Sequence, residues 1–175
     1  IFATKGYIVL MADYLGYGIS SPYVHPYLDI NNTAQVIIDL LIKAIPYLHY
    51  RNFFPNTSEL ILLGYSQGGA ATIGLARLIE QSYPQFHIKQ IYAGAGPYNP
   101  AATYDYCTQA NQTHVPCAVP MIILGMSYSK QLDLQPADYF RDPLLKFYHR
   151  WILSKEYSFY ELNDYMHNVL LSDIL

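Results

Sequence analysis

The segment around Ser66 constrains the fold of this chain more than any other segment. A short aliphatic run, Glu59–Leu63, leads directly into the pentapeptide GYSQG at residues 64–68, and Gly-Ala-Ala follows at 69–71. Such a run is typical of a strand buried on both faces of a parallel sheet. The small residues after it let a helix lie close to that strand. The pattern predicts a strand, a sharp turn and a helix that ends near Tyr83-Pro84.

The pentapeptide has the layout of a nucleophile elbow. Such a turn forces its central serine, here Ser66, into a sterically poor backbone conformation, so it needs minimal side chains two residues away on either side. Gly64 and Gly68 supply them. The alternative is a strand-to-helix turn whose glycines serve packing only, but this leaves the central serine unexplained. Ser66 is therefore the candidate nucleophile.

The pattern repeats along the first hundred residues. Gly6–Ala12 predicts another short buried strand, and Ile88–Ala93 predicts a third. Between the first strand and the elbow, residues 26–45 predict a helix with Asn32 as its N-cap and Pro46 at its end or just after a kink. Alternating strands and helices indicate an α/β fold with a parallel sheet and right-handed crossovers.

The remainder of the chain has a different character. After a polar stretch come an apolar run at Val119–Leu124 and two aromatic, helix-like segments at Tyr139–Leu153 and Tyr157–Leu171. Many of the 19 tyrosines lie here, where amphipathic rings can line a cleft or fill an ordinary core. We expect one partial domain over residues 1–175, with a core at 1–99 and a helical, Tyr-rich cap or lid at 100–175.

Composition argues against several classes of function. The net charge is −3 and charged residues make up only 13% of the 175 residues, so nucleic acid is not an expected partner. No apolar run approaches the roughly 18 residues that span a bilayer, so stable membrane insertion is not expected. No spacing of His and Cys suggests zinc and no glycine-rich phosphate loop is present, so no metal or cofactor is predicted.

Two cysteines bear on the compartment. Cys107 and Cys117 flank a polar stretch, which suits either a small disulfide-closed loop in an oxidising compartment or two free thiols. Glycosylation triplets begin at Asn31, Asn56 and Asn111 and would matter only in a eukaryotic secretory protein. With the disulfide, the chain would be secreted or periplasmic.

Taken in order, four segments resemble the α/β-hydrolase superfamily, and within it the secretory-lipase-like serine esterases. They are GYIVLMADYLGYGIS at 6–20, HPYL at 25–28, ILLGYSQGGAAT at 61–72 and AGAGPYNP at 93–100. The resemblance covers roughly the first hundred residues. It implies a central fragment of that fold, and an esterase or lipase that forms an acyl-enzyme on a small hydrophobic ester or lipid.

The resemblance also implies roles for individual residues. Ser66 would be the nucleophile, and Asp13, Gly16 and Gly18 would belong to the loop after the fold's fourth strand. The backbone N–H of Gln67, directly after the serine, would donate to the oxyanion. The Tyr-rich region beyond residue 100 would cover the acyl-binding site.

A base and an acid for Ser66 are harder to place. An elbow fold orders its triad as serine, then acid, then histidine. His25 and His49 therefore lie on the wrong side of Ser66, and His25 is better interpreted as a loop or cap contact than as a base. His87 follows the serine too closely, and His114 lies in the polar loop.

One completion within the chain fits the order. Val119–Leu124 could be a late strand, with Asp133 as the acid and His167 as the base, although residues 165–168 lie in a helix-like segment. The family instead has three strands and an oxyanion loop before the matching region, and carries the acid and the histidine on two further strands after its cap. We therefore expect the acid and base to lie beyond residue 175.

Two other functions remain open. A peptidase or amidase of the same fold would use the same serine, and a non-catalytic remnant of the fold would bind a hydrophobic ligand without turnover. The sequence does not indicate an oligomeric state.

Overall fold

A computed structural model describes residues 2–109, 111, 113–166, 171–173 and 175. The helices and strands, in chain order, are α1 (Ile30–Tyr50), β1 (Leu60–Tyr65), α2 (Gln67–Ser82), β2 (Ile88–Gly94), α3 (Pro100–Thr108), α4 (Ala118–Lys130), α5 (Pro136–Tyr139), α6 (Leu144–Tyr148) and α7 (Phe159–Met166). A π-helical turn, His149–Leu153, follows α6, and 3-10 turns lie at Ala3–Lys5, Gly18–Ser20 and Leu171–Asp173. None of the helices described combines the length and apolar character needed to cross a bilayer.

The chain forms two compact units. The first comprises Ile1–His25 and Asp29–Tyr98, and the second comprises Pro26–Leu28 and Asn99–Leu175. The sequence predicted a core at residues 1–99 and a cap at residues 100–175. That the second unit acts as a lid stays a prediction.

A parallel strand pair organises the first unit. Strands β1 and β2 pair in register from Ile61 opposite Gln90 to Tyr65 opposite Gly94, with an irregularity between Leu60 and Ile61. Helix α2 connects the two strands, so β1, α2 and β2 form the β-α-β crossover that parallel pairing requires. The predicted strand, turn and helix around Ser66 are confirmed.

A small apolar core holds α1 and α2 together. Its buried members are Ala34 and Ile38 of α1, Leu75 and Ile79 of α2, and Phe86 just before β2. Ile38 is fully buried, and burying an aliphatic side chain of this size is worth about 1.5–3 kcal/mol. This core fixes α2, and therefore the turn at its start, against the rest of the unit.

The strand predicted over Gly6–Ala12 is wrong. Residues 7–14 have no regular secondary structure, and side chains 7–11 are exposed, with Met11 at 87%. A β-strand exists only as part of a hydrogen-bonded ladder, and the described residues provide no ladder partner for this segment. The segment has the apolar composition typical of a buried strand but does not form a strand.

The first helix differs from its prediction at both ends. It starts at Ile30, capped by the Asp29 carboxylate, which accepts a hydrogen bond from Asn32 N–H at 2.9 Å. Asn32 is thus the partner of the cap and not the cap itself. Pro46 lies inside the helix, which continues to Tyr50. The proline removes one hydrogen bond from the ladder but does not end the helix.

The second unit is helical. Its main cluster contains the fully or nearly fully buried Val119, Leu144, Ile152, Leu162 and Met166. The late strand considered over Val119–Leu124 is wrong, because this run lies in the first half of α4. An apolar run of this length fits a buried helix as well as a buried strand, and periodicity alone does not separate the two.

Both cysteines are free thiols, so the structure holds the second of the two alternatives predicted for them. Cys107 and Cys117 are both buried members of the main cluster of the second unit. The Cys117 Sγ–H donates weakly to Phe159 O at 3.6 Å. Burial raises the pKa of the Cys117 thiol to about 12, so it stays protonated and unreactive at neutral pH.

Candidate active site

Ser66 occupies the turn between β1 and α2 in a conformation that is rare for a residue with a side chain. Its backbone angles are φ 54° and ψ −123°. A non-glycine residue at positive φ outside the usual left-handed well costs about 1–3 kcal/mol, and such residues cluster at functional sites. The side chain is exposed and caps no N–H of α2. The turn therefore presents the hydroxyl outward.

Backbone hydrogen bonds hold this strained turn on both sides. Ser66 N–H donates to Gly94 O, at the end of β2, at 2.9 Å. Ser66 O accepts from Gly69 N–H at 2.9 Å and from Ala70 N–H at 3.2 Å. The strand pair and the first turn of α2 together fix the serine backbone, which explains how the strain persists.

The two glycines of the motif have different surroundings. A Cβ on Gly64 would overlap the carbonyl oxygen of Gly68 and would lie 2.5 Å from Thr72 Oγ1. A Cβ on Gly68 would meet nothing within 4 Å among the described residues. The steric requirement at this turn therefore falls on Gly64, because it faces the backbone of the helix start.

Gln67 is the first residue of α2, directly after Ser66. The first N–H groups of a helix have no intrahelical acceptor and lie at the positive end of the helix dipole. The backbone N–H of Gln67 is therefore suited to stabilise negative charge that develops next to Ser66. This is the geometry expected of one oxyanion donor.

The side chain of Gln67 contacts His25. Gln67 Nε2 lies 2.7 Å from His25 Nε2, and His25 Nδ1 lies 2.7 Å from Leu15 O. His25 is 7% exposed. The sequence predicts a loop or cap contact for His25, and the structure places it against the loop and against Gln67, the residue after Ser66. The sequence contains no signal for the second contact, because the two residues lie 42 positions apart.

The loop at residues 13–20 surrounds His25. A Cβ on Gly16, which has φ +93°, would lie 2.7 Å from the backbone N and Cα of His25. The Tyr17 ring meets the His25 ring edge-on at 4.9 Å, and the Tyr14 ring lies nearly parallel at 6.3 Å. Burial raises the pKa of both tyrosines. Asp13 lies beside Gly18, where a Cβ would overlap its carboxylate.

Asp133 and His167 are the other candidate site residues predicted from the sequence. Asp133 is exposed, lies in the second unit and accepts a hydrogen bond from Gln135 Nε2 at 2.8 Å. His167 lies outside the described residues. In the part of the chain that the structure describes, no histidine or carboxylate hydrogen-bonds to Ser66, and no cluster of His, Cys, Asp or Glu could hold a metal ion. The position of the catalytic acid and base stays a prediction.

Comparison with solved structures identifies the architecture. The structure of the rice cell wall degrading esterase LipA from Xanthomonas oryzae superposes on 91% of this chain and 42% of its own, with a TM-score of 0.76 and 26% sequence identity. A ligand-bound form of LipA gives a TM-score of 0.74 at 25% identity over the same shares of the two chains. The chain has a partial α/β-hydrolase fold.

This α/β-hydrolase fold is supported by structure and not by sequence searches. No family model and no curated protein sequence matches the chain. A further LipA structure still gives a TM-score of 0.69 at 22% identity, covering 85% of this chain and 40% of its own. The chain thus spans about two fifths of the length of the esterase structures it resembles. In folds of this class the nucleophile elbow is a strand-to-helix turn like the one at Ser66.

Proposed function

We propose that this chain carries the nucleophile of a serine carboxylic-ester hydrolase. The single observation that carries the proposal is the strained, outward-facing Ser66 at the junction of β1 and α2 in an α/β-hydrolase fold. Strain of this kind persists where the surrounding structure enforces it, and the hydrogen bonds to Gly94, Gly69 and Ala70 do so. The resemblance to structures of an esterase favours an ester over an amide as substrate.

The proposed reaction is a two-step acyl transfer through Ser66. A histidine outside the described residues removes the proton from Ser66 Oγ as the oxygen attacks the ester carbonyl. The Gln67 N–H donates to the oxyanion of the tetrahedral intermediate, where one such donor is worth about 3–4 kcal/mol. The alcohol leaves with a proton and the acyl group stays on Ser66. Water then hydrolyses the acyl-enzyme and regenerates the hydroxyl.

The proposed substrate class is a small hydrophobic ester or lipid. We propose a secreted or periplasmic location because the LipA structures that the chain resembles are those of a rice cell wall degrading esterase; a disulfide does not support it, since both cysteines are free. Two facts support an apolar substrate: the charged fraction of the chain is 13%, and the second unit carries many tyrosines among its helices. The proposed reaction uses no cofactor, since the serine, its base and the oxyanion donors complete it.

The test compares Ser66→Ala with Ser82→Ala in the full-length protein, using p-nitrophenyl butyrate. Ser82 is the exposed last residue of α2 and serves as the matched control. We expect kcat to fall at least about a thousandfold for Ser66→Ala and to stay unchanged for Ser82→Ala. Equal hydrolysis by Ser66→Ala would refute the nucleophile. Preference for an aminoacyl amide over the ester would favour a peptidase, and ligand binding without turnover would favour a non-catalytic protein.

A further inference from the structure

His25 connects a surface loop to the residue after the proposed nucleophile. Its Nδ1 faces the carbonyl oxygen of Leu15, which only accepts hydrogen bonds, so Nδ1 carries the proton. In a neutral imidazole Nε2 is then the acceptor, and Gln67 must present its N–H to it. Gln67 therefore donates to His25, and His25 donates to Leu15, in one fixed direction.

We propose that His25 is a positioning residue for the oxyanion donor. It anchors the Gln67 side chain and thereby fixes the direction of the Gln67 backbone N–H beside Ser66. This inference rests on the proposed function and assigns a role to a histidine that precedes the serine and cannot be its base in the usual triad order.

The local geometry explains why an anchor matters at this position. The peptide between Ser66 and Gln67 is held at its carbonyl by the N–H groups of Gly69 and Ala70. Its N–H belongs to the first residue of α2, where no intrahelical acceptor restrains it. The contact between Gln67 Nε2 and His25 Nε2 at 2.7 Å restrains the same residue through its side chain. The two restraints together define the plane of the donor.

The surroundings of His25 make it a rigid anchor. The ring is buried, Tyr17 packs against it edge-on at 4.9 Å, and Gly16 lies so close to its backbone that a Cβ would stand 2.7 Å from His25 N. A histidine that served only to hold the loop would need Leu15 as its partner and nothing else. The second contact immobilises a long polar side chain, which costs rotamer entropy at a half-exposed helix start.

Two substitutions separate the two contacts. In His25→Asn, the amide N–H lies where Nδ1 was and can keep the hydrogen bond to Leu15 O. In His25→Gln, the amide oxygen lies where Nε2 was and can keep the hydrogen bond from Gln67. In the full-length protein we expect His25→Asn to lower kcat for p-nitrophenyl butyrate about tenfold, less than loss of an oxyanion donor itself, with KM within about twofold. His25→Gln should retain most of the wild-type kcat.

A purely structural role for His25 predicts the opposite order, with His25→Asn active and His25→Gln impaired, and this order would overturn the proposal. Gln67→Met removes the same contact by changing its other partner. It tests the proposal even if a His25 variant does not fold. It should lower kcat to the same degree, and adding His25→Asn to it should cause no further loss. Additive losses, or a wild-type kcat in Gln67→Met, would also overturn it.

Rates of the His25 and Gln67 variants are expressed per active site, counted by fluorophosphonate titration; those of Ser66→Ala are expressed per mole of protein, and urea denaturation checks the fold of each variant. Ser66→Ala distinguishes failure of the proposed function from failure of the proposed role of His25. If Ser66→Ala stays fully active, the proposed function fails and this inference fails with it. If Ser66→Ala is inactive while His25→Asn keeps the wild-type kcat, only the role of His25 is refuted.

Discussion

The substitution Gly64→Ala tests whether the turn at Ser66 depends on close approach of the helix start to β1. The new Cβ would overlap the carbonyl oxygen of Gly68 and would stand 2.5 Å from the hydroxyl of the buried Thr72. Thr72 can change its rotamer, but the Gly68 carbonyl belongs to the backbone of α2. The helix start therefore has to move, and Ser66, which lies between the two glycines, has to move with it.

The cost can be set against a matched control in the same turn. Overpacking a close contact costs about 1–3 kcal/mol, and we expect Gly64→Ala near the upper value because the obstacle is backbone. Gly68→Ala meets nothing within 4 Å and lies in helical backbone, so it should raise the free energy of unfolding by about 0.5–1 kcal/mol. The two variants should therefore differ by about 3–4 kcal/mol.

Urea denaturation of the two full-length variants measures this difference, since equal slopes with shifted midpoints report a change in stability alone. The rate of Ser66 labelling by a fluorophosphonate measures the displacement of the hydroxyl, and it should fall for Gly64→Ala. A difference below about 1 kcal/mol, within the range of ordinary surface substitutions, would show that Gly64 does not hold the helix start close to β1. So would a larger loss for Gly68→Ala than for Gly64→Ala.

Two further predictions concern strain and pH. Ser66→Gly should be more stable than Ser66→Ala by about 1 kcal/mol or more in urea denaturation, because glycine adopts φ 54° without strain and alanine does not; equal stability would argue against strain at this position. Burial raises the pKa of Cys117 from 9.0 to about 12, so between those values the unfolded thiol loses its proton while the folded one keeps it. The free energy of unfolding should therefore fall as pH rises from about 9, and the fall should be shallower in Cys117→Ala; parallel pH curves would contradict this.

Local patterns predicted the elements around Ser66 because the interactions that determine them are local. A short aliphatic run, a turn that needs Gly64 and an amphipathic helix specify β1, Ser66 and α2 within about twenty-five consecutive residues. The N-cap of a helix is also set locally, but Asp29, Asn31 and Asn32 are all good cap formers. The sequence pattern predicted Asn32, whereas Asp29 is the cap.

The remaining features depend on contacts that are distant in sequence. Gly6–Ala12 has the composition of a buried strand, but a strand also needs a ladder partner, which composition does not reveal. Val119–Leu124 is equally apolar and became helix α4. The contact between His25 and Gln67 joins two segments through one hydrogen bond, and neither segment alone indicates it.

Ser66 is the residue that we propose becomes acylated. Mass spectrometry tests this proposal directly when the full-length protein is treated with a fluorophosphonate, digested and mapped. We expect one phosphonyl adduct per protein, located on the peptide that contains Ser66 and absent from Ser66→Ala. An adduct on another residue, or an unlabelled Ser66 in a protein that hydrolyses p-nitrophenyl butyrate, would contradict the proposal that Ser66 is the nucleophile.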